Sequence, residues 1–293
     1  DLSLNANAPL GLASPFIAPR SIRGQLVADL AVRGNALNDV SGRVTISNAT
    51  FVPPNVCLTL RLSSGGIDLG RGRAILSVTG QPISGGQLRV SGPVTLSGRY
   101  PADLAISLDQ FRLEDPQLYT TSLDGQVNVT GPLRGGAAIV GQINVGETQI
   151  TVPSTSIGSF SSIPHIRHVG SPPDVTATRR RAGLIQDTST RASSNRRRAY
   201  PLDIVVSAPS RIFVRGRGLD AELGGRLALT GTTTNIISAG GFELVRGRLD
   251  IVGQRFVLDE GRINLEGDFD PFLNFRATTD TDDGTASVII EGR

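Results

Sequence analysis

Few residues in this chain are of a type and spacing that could do chemistry. Histidine occurs twice, at His165 and His168, with no cysteine or carboxylate cluster beside it. A catalytic or structural metal draws three or four protein ligands, so the pair reads as two solvated loop side chains and no metal is expected. Asp280, Asp282, Asp283 and Gly284 have the look of a calcium loop, but Thr285 stands at the sixth position, where an EF-hand needs glycine. An acidic hairpin turn is the expectation there. Gly216-Arg217-Gly218-Leu219-Asp220-Ala221 follows the apolar run Ile212-Phe213-Val214 as a dinucleotide-binding motif would. Such a motif needs a helix next, whose N-terminal amides hold the pyrophosphate. Gly224-Gly225 and the alternating Arg226-Leu227-Ala228-Leu229 follow instead, so no cofactor is expected. The single cysteine, Cys57, has no partner for an internal disulfide and reads as a buried apolar thiol. With no G-x-S-x-G elbow, Walker loop or H-E-x-x-H, the chain is not expected to be an enzyme.

The elements around these residues read as strands throughout. Apolar and polar residues alternate wherever glycine and proline allow, the period-2 signal of a sheet with one apolar face. Leu26 to Val32, Val44-Thr45-Ile46, Val127-Asn128-Val129, Leu202 to Val206, Leu227-Ala228-Leu229 and Ile263-Asn264-Leu265 are clear cases. A short motif of alternating apolar residues closed by glycine recurs, ending at Gly80, Gly92, Gly98, Gly131, Gly231, Gly267 and Gly292, with a near copy at Gly253. It reads as a strand followed by a tight turn. Its irregular spacing points to a meander of antiparallel strands of unequal length. A chain of 293 residues, 39% hydrophobic, is long enough for one large β domain or two ordinary ones. Aromatic residues make up only 4%, which argues against the stacking platforms that hold single-stranded nucleic acid. No apolar run approaches the length of a membrane span. The chain starts at Asp1 and contains no Met, which reads as a piece of a longer protein whose signal or anchor lies outside it.

All the cations are arginine, and they are unevenly placed. Eight arginines against two aspartates lie between His165 and Tyr200, so the basic balance belongs to that stretch and the β body is mildly acidic. Pro172-Pro173, many Ser and Thr, Arg179-Arg180-Arg181 and Arg196-Arg197-Arg198 have no apolar period to offset their ordering entropy. Three segments are therefore expected: an N-terminal β segment over 1–157, a flexible basic loop over 158–200 and a C-terminal β segment over 201–293. Arg179, Arg180, Arg181, Arg196, Arg197 and Arg198 are the candidates for contact with anionic groups such as lipid headgroups.

From Leu202 onward the sequence resembles the conserved C-terminal domain of the TamB family, the inner-membrane component of the translocation and assembly module of Gram-negative bacteria. The likeness is carried by Ala208-Pro209-Ser210-Arg211-Ile212-Phe213-Val214-Arg215-Gly216-Arg217-Gly218-Leu219-Asp220-Ala221-Glu222-Leu223-Gly224-Gly225. It continues through Gly241-Phe242-Glu243-Leu244-Val245-Arg246-Gly247, Gly253-Gln254-Arg255-Phe256, Gly261-Arg262-Ile263-Asn264-Leu265-Glu266-Gly267 and Asp270-Pro271. The resemblance implies an all-β fold, an elongated curved antiparallel sheet folded along its length (taco-like) with an apolar inner groove. It also implies a periplasmic protein, anchored to the inner membrane by an N-terminal segment absent from this chain. TamA, the outer-membrane barrel, is the implied partner of the full-length protein, at a C-terminus beyond the end of this chain.

Alternation then nominates a lipid-contacting set on one face: Leu202, Ile204, Val206, Ile212, Val214, Leu227, Leu229, Phe242, Leu244, Leu249, Ile251, Phe256, Leu258, Ile263, Leu265, Leu273 and Phe275. A closed sandwich would bury that strip as core, and an open groove would present it to acyl chains. The resemblance favours the groove, and with it a non-enzymatic conduit for phospholipid between inner and outer membranes. The alternative is a scaffold on which strands of outer-membrane β-barrel clients pair with an exposed sheet edge. A third reading is a passive stalk with a closed core.

Overall fold

The computed structural model describes residues 2–13, 21–34, 39–53, 58–153, 199–251, 253–281 and 284–293. Its regular structure is strand, apart from a 3-10 turn at Leu10–Ala13. The strands are β1 (Leu2–Pro9), β2 (Ser21–Val32), β3 (Val40–Val52), β4 (Leu60–Gly70), β5 (Arg73–Pro82), β6 (Gln87–Thr95), β7 (Pro101–Asp115) and β8 (Tyr119–Pro132). They continue as β9 (Ala138–Thr151), β10 (Pro201–Gly216), β11 (Leu219–Thr232), β12 (Asn235–Ile251), β13 (Gln254–Gly267), β14 (Phe272–Thr281) and β15 (Gly284–Gly292). All lie in one sheet in chain order, with β1 at one edge and β15 at the other. The fold is therefore the expected all-β one, a single open curved sheet. These strands belong to one compact unit, 1–152 with 198–293; a second unit covers 153–197. The expected basic loop and its arginines fall outside the described residues, as does Cys57.

Local sequence explains the hairpins. Arg71-Gly72 and Arg217-Gly218 both have positive φ at each position, as a two-residue type I′ turn requires. The glycines of the dinucleotide-like motif thus close the β10–β11 hairpin. Thr281 pairs with Gly284 across the β14–β15 turn, and the Thr285 hydroxyl donates to Asp280 at 3.1 Å. Two of the glycines expected at turns lie instead within strands. Gly80 sits opposite Leu62, and Gly92, at φ 138°, sits opposite Leu76. A Cβ on Gly92 would come 2.1 Å from the Asp103 carbonyl oxygen, so the glycine permits close backbone approach rather than a turn.

The sheet is antiparallel except between β9 and β10, which run parallel. A repeat accounts for the exception. Tyr100-Pro101, Asp103, Ser107, Leu123, Gly125 and Thr130-Gly131 recur as Tyr200-Pro201, Asp203, Ser207, Leu223, Gly225 and Thr230-Gly231. Leu133 N–H donates to the Tyr100 carbonyl at 3.1 Å, and Thr233 N–H to the Tyr200 carbonyl at 2.9 Å. The strands β7–β9 and β10–β12 are thus two copies of a three-strand unit. An odd number of strands ends each unit pointing the way it began, so the next unit starts parallel to its neighbour.

Register breaks run across the middle of the strands. They fall between Leu108 and Phe111, Thr121 and Leu123, Ser207 and Ile212, Glu222 and Leu223, and Leu258 and Glu260. Traced from partner to partner, they form a nearly continuous line from β7 to β13. Each bulge bends its strand and tightens the local twist, so the line is a crease across the strands. Non-glycine residues take left-handed φ along it, Gln110 at 45° and Arg211 at 73°. Carboxylates on the following strand hold both. Gln110 N–H donates to Asp124 Oδ1 at 2.7 Å, and Arg211 N–H to Glu222 Oε1 at 3.2 Å.

Candidate functional site: the apolar face

Paired residues in a sheet point to the same side, so the register assigns every strand residue to a face. On β10 and β11, Leu202, Ile204, Val206, Ile212 and Val214 stand opposite Gly231, Leu229, Leu227, Leu223 and Ala221. The same face continues through Phe242, Leu244, Leu249 and Ile251 of β12, opposite Gly225, Leu223 and Leu219 of β11 and Gln254 of β13. Phe256, Leu258, Ile263 and Leu265 of β13 follow, and then Leu273 and Phe275 of β14. All the residues nominated as lipid-contacting therefore share one face. Single-residue bulges at Val245 and Asp259 keep the pattern in phase where simple alternation would lose it.

Sequence reasoning stopped at Leu202, yet the face extends over the whole sheet. Ile139, Ile143 and Val145 of β9, Val127 and Val129 of β8, and Leu104, Ile106, Leu108 and Phe111 of β7 carry it on. Val90, Val78, Ile67, Val44, Ala28 and Ala6 continue it to β1. Among the positions placed on this face by register, only Asp115 is charged. It sits at the β7–β8 turn, where its carboxylate accepts from the Gln117 and Leu118 amides. Hydrogen-bonded hydroxyls also lie on the face itself. The Thr121 and Thr148 hydroxyls meet at 2.6 Å, and the Ser238 hydroxyl donates to the Asp268 carbonyl at 2.6 Å.

The opposite face is a lattice of charges. Arg43 pairs with Asp68, Arg215 and Arg248 with Asp220, Arg246 with Glu222, Arg255 with Asp250, and Arg262 with Glu243, each pair directly opposite in the register. A cleft of about 380 Å³ on this face is lined by Phe213, Arg215, Asp220, Glu222, Arg246 and Arg248. Its charges are engaged with one another, which leaves the cleft little to offer an ionic ligand. The hydrogen bond from Arg43, with the charge of that guanidinium, holds the Asp68 carboxyl below its ordinary value.

Burial separates an open trough from a closed core. A closed sandwich of this size encloses large aliphatic side chains completely. Here the residues at 0% exposure among those described are the small Ala137, Ala208 and Ser238; the most buried large apolar side chains, Leu223 and Leu258, keep 5% of their surface exposed, Leu249 keeps 9% and Ile251 keeps 36%. The small residues Ala49, Ala208, Ala221 and Ala277 are covered most, and aliphatic and aromatic side chains pack against the clusters that hold the last three. Leu60, Phe111, Ile212, Leu223 and Leu258 are buried beside them, while Ile204, Leu229, Phe242 and Leu244 stay part-exposed. The face is an apolar surface, uncharged at its register-placed positions but for Asp115, with no second sheet over it among the described residues.

A sequence model of the TamB C-terminal domain matches residues 77–293. The chain belongs to the TamB family. The match begins on β5, well before the stretch from Leu202 on which the resemblance rests, and takes in both copies of the three-strand unit. Comparison with individually curated proteins finds no match. TamB-family proteins are membrane-associated envelope proteins that serve transport and assembly, together with TamA, and are not a known enzyme family. Among the described residues there is no group of His, Cys, Asp and Glu able to hold a metal, and no helix long and apolar enough to cross a membrane.

Proposed function

We propose that this chain is a stretch of a periplasmic, non-enzymatic conduit that shields phospholipid acyl chains as they pass between the inner and outer membranes. The observation that supports this most is the apolar face running from β1 to β15, with Asp115 its one register-placed charge and no second sheet over it among the described residues. Water opposes lipid movement at about 0.8 kcal/mol per exposed CH₂, or on the order of 13 kcal/mol for a 16-carbon chain. Aliphatic side chains along a trough remove most of that cost. Their attraction is non-directional, so a chain slides along them without breaking specific bonds. In the full-length protein, Leu229→Asp or Ile251→Asp is expected to stop phospholipid transport while the fold survives. Normal transport in both variants contradicts the conduit.

The second reading, a scaffold for outer-membrane β-barrel clients working with TamA, is favoured by the edge strand β15. Ile289 and Ile290 there are 64% and 48% exposed. An unpaired edge accepts a partner strand through its ladder. Successive N–H groups of a strand point to opposite sides, so one of Ile289 and Ile290 turns its N–H to the open edge; proline at that position harms client assembly and leaves lipid movement unchanged if the two roles are separable.

A further inference from the structure

Side chains of β10 to β14 meet one another on the apolar face. Phe275 of β14 packs against the cluster of Ala208, Ile212 and Leu223 from β10 and β11. It also packs against the cluster of Ala221, Leu258 and Ala277. In a flat sheet β14 would stand about 14 Å from β11, at roughly 4.8 Å per strand, beyond the reach of a phenylalanine. The sheet therefore curls here until side chains several strands apart meet, and Leu244 joins both clusters.

Glycine makes the seat for this ring. Gly261 is the register partner of Phe275, and a Cβ on it would come 2.5 Å from two ring carbons and 2.9 Å from Leu244 Cβ. One edge of the ring, Cδ1 and Cε1, thus occupies the space that a side chain at position 261 would fill. Phe275 is only partly buried and is held by apolar contact alone, so no hydrogen bond resists its rotation. A ring locked into a core is enclosed on both sides.

We propose that Phe275, seated on Gly261 and backed by Leu244, is the gate that controls passage of an acyl chain from the β1–β11 part of the trough to β15. This rests on the conduit reading. A chain advancing along the face must lift the ring from its seat, and the ring returns by apolar contact once the chain has passed.

The test maps where lipid reaches. Phosphatidylglycerol carrying a diazirine at the end of one acyl chain is supplied in vesicles with phosphatidylethanolamine, photolysed with the protein, and its adducts located by peptide mass spectrometry. In the wild type, adducts concentrate at residues such as Val129 and Ile204 and fall away at Ala286 and Val288 of β15. Phe275→Ala raises labelling of β15 severalfold and leaves Val129 unchanged. Phe275→Leu keeps apolar contact without the planar ring, guards against loss of the fold, and gives an intermediate rise. Equal labelling on both sides in all three proteins overturns the gate and leaves the conduit standing. No labelling of the apolar face in any of them overturns the gate together with the conduit.

Discussion

A carboxylate placed on the apolar face has different consequences at different depths. Leu229 is half-buried, so an aspartate there keeps access to water, and Leu229→Asp is expected to cost about 1–2 kcal/mol in urea unfolding. Leu258 is 5% exposed and lies beneath Phe256 and Phe275. Leu258→Asp, measured the same way, is expected to cost at least about 4 kcal/mol. The threonine pair gives a finer comparison. Thr148 donates to the Gly146 carbonyl at 3.2 Å, which makes Thr121 the donor between the two hydroxyls. Thr148→Val strands the buried Thr121 hydroxyl and is expected to cost about 1 kcal/mol more than Thr121→Val. On the polar face, Arg43 lowers the Asp68 carboxyl, so the pair stabilises the fold above the unfolded-state value and loses that contribution as pH falls through the folded one. In Arg43→Ala, Asp68 is expected to titrate in the ordinary carboxylate range, as followed by NMR. At this scale the sequence was informative about face and uninformative about depth. Alternation places Leu229 and Leu258 on one side, but only the curl of β10–β14 buries one far more than the other.

The strands were legible and the bulges were not. Hydrophobic alternation marks β2, β8, β10, β11 and β13 in the sequence because one face is apolar along their length. The crease has no comparable signal. Its left-handed positions are occupied by Gln110 and Arg211 instead of glycine, and the carboxylates that hold them, Asp124 and Glu222, come from the next strand. Gln110→Val is expected to cost about 1–2 kcal/mol in chemical denaturation, since a β-branched residue tolerates positive φ poorly. The parallel step from β9 to β10 did leave a trace, the recurrence of Tyr100-Pro101 as Tyr200-Pro201. It went unread because the turn motifs on either side are irregularly spaced. Gly80 and Gly92 misled for a related reason: a glycine that lets strands approach closely looks, in sequence, like one that ends a strand.

For the molecule as a whole, alternation cannot tell a trough from a core, since both place aliphatic residues on every second position. The difference lies in what covers them, and that is set by the order of the strands. Fifteen strands in chain order, with no pairing between β1 and β15, leave the apolar face without a second layer among the described residues. The family likeness is read from Leu202 onward, a stretch that opens with the β10–β11 hairpin and its bulge. The family match reaches back to residue 77, on β5. The central claim is that this face holds acyl chains, and native mass spectrometry with lipid extraction, on the wild type and on Leu229→Asp, tests it most directly. Phospholipid bound to the wild type and lost from a still-folded variant is the expected result. A lipid-free wild type, with the variant unfolding outright, would mean that the face is a closed core and would contradict the account.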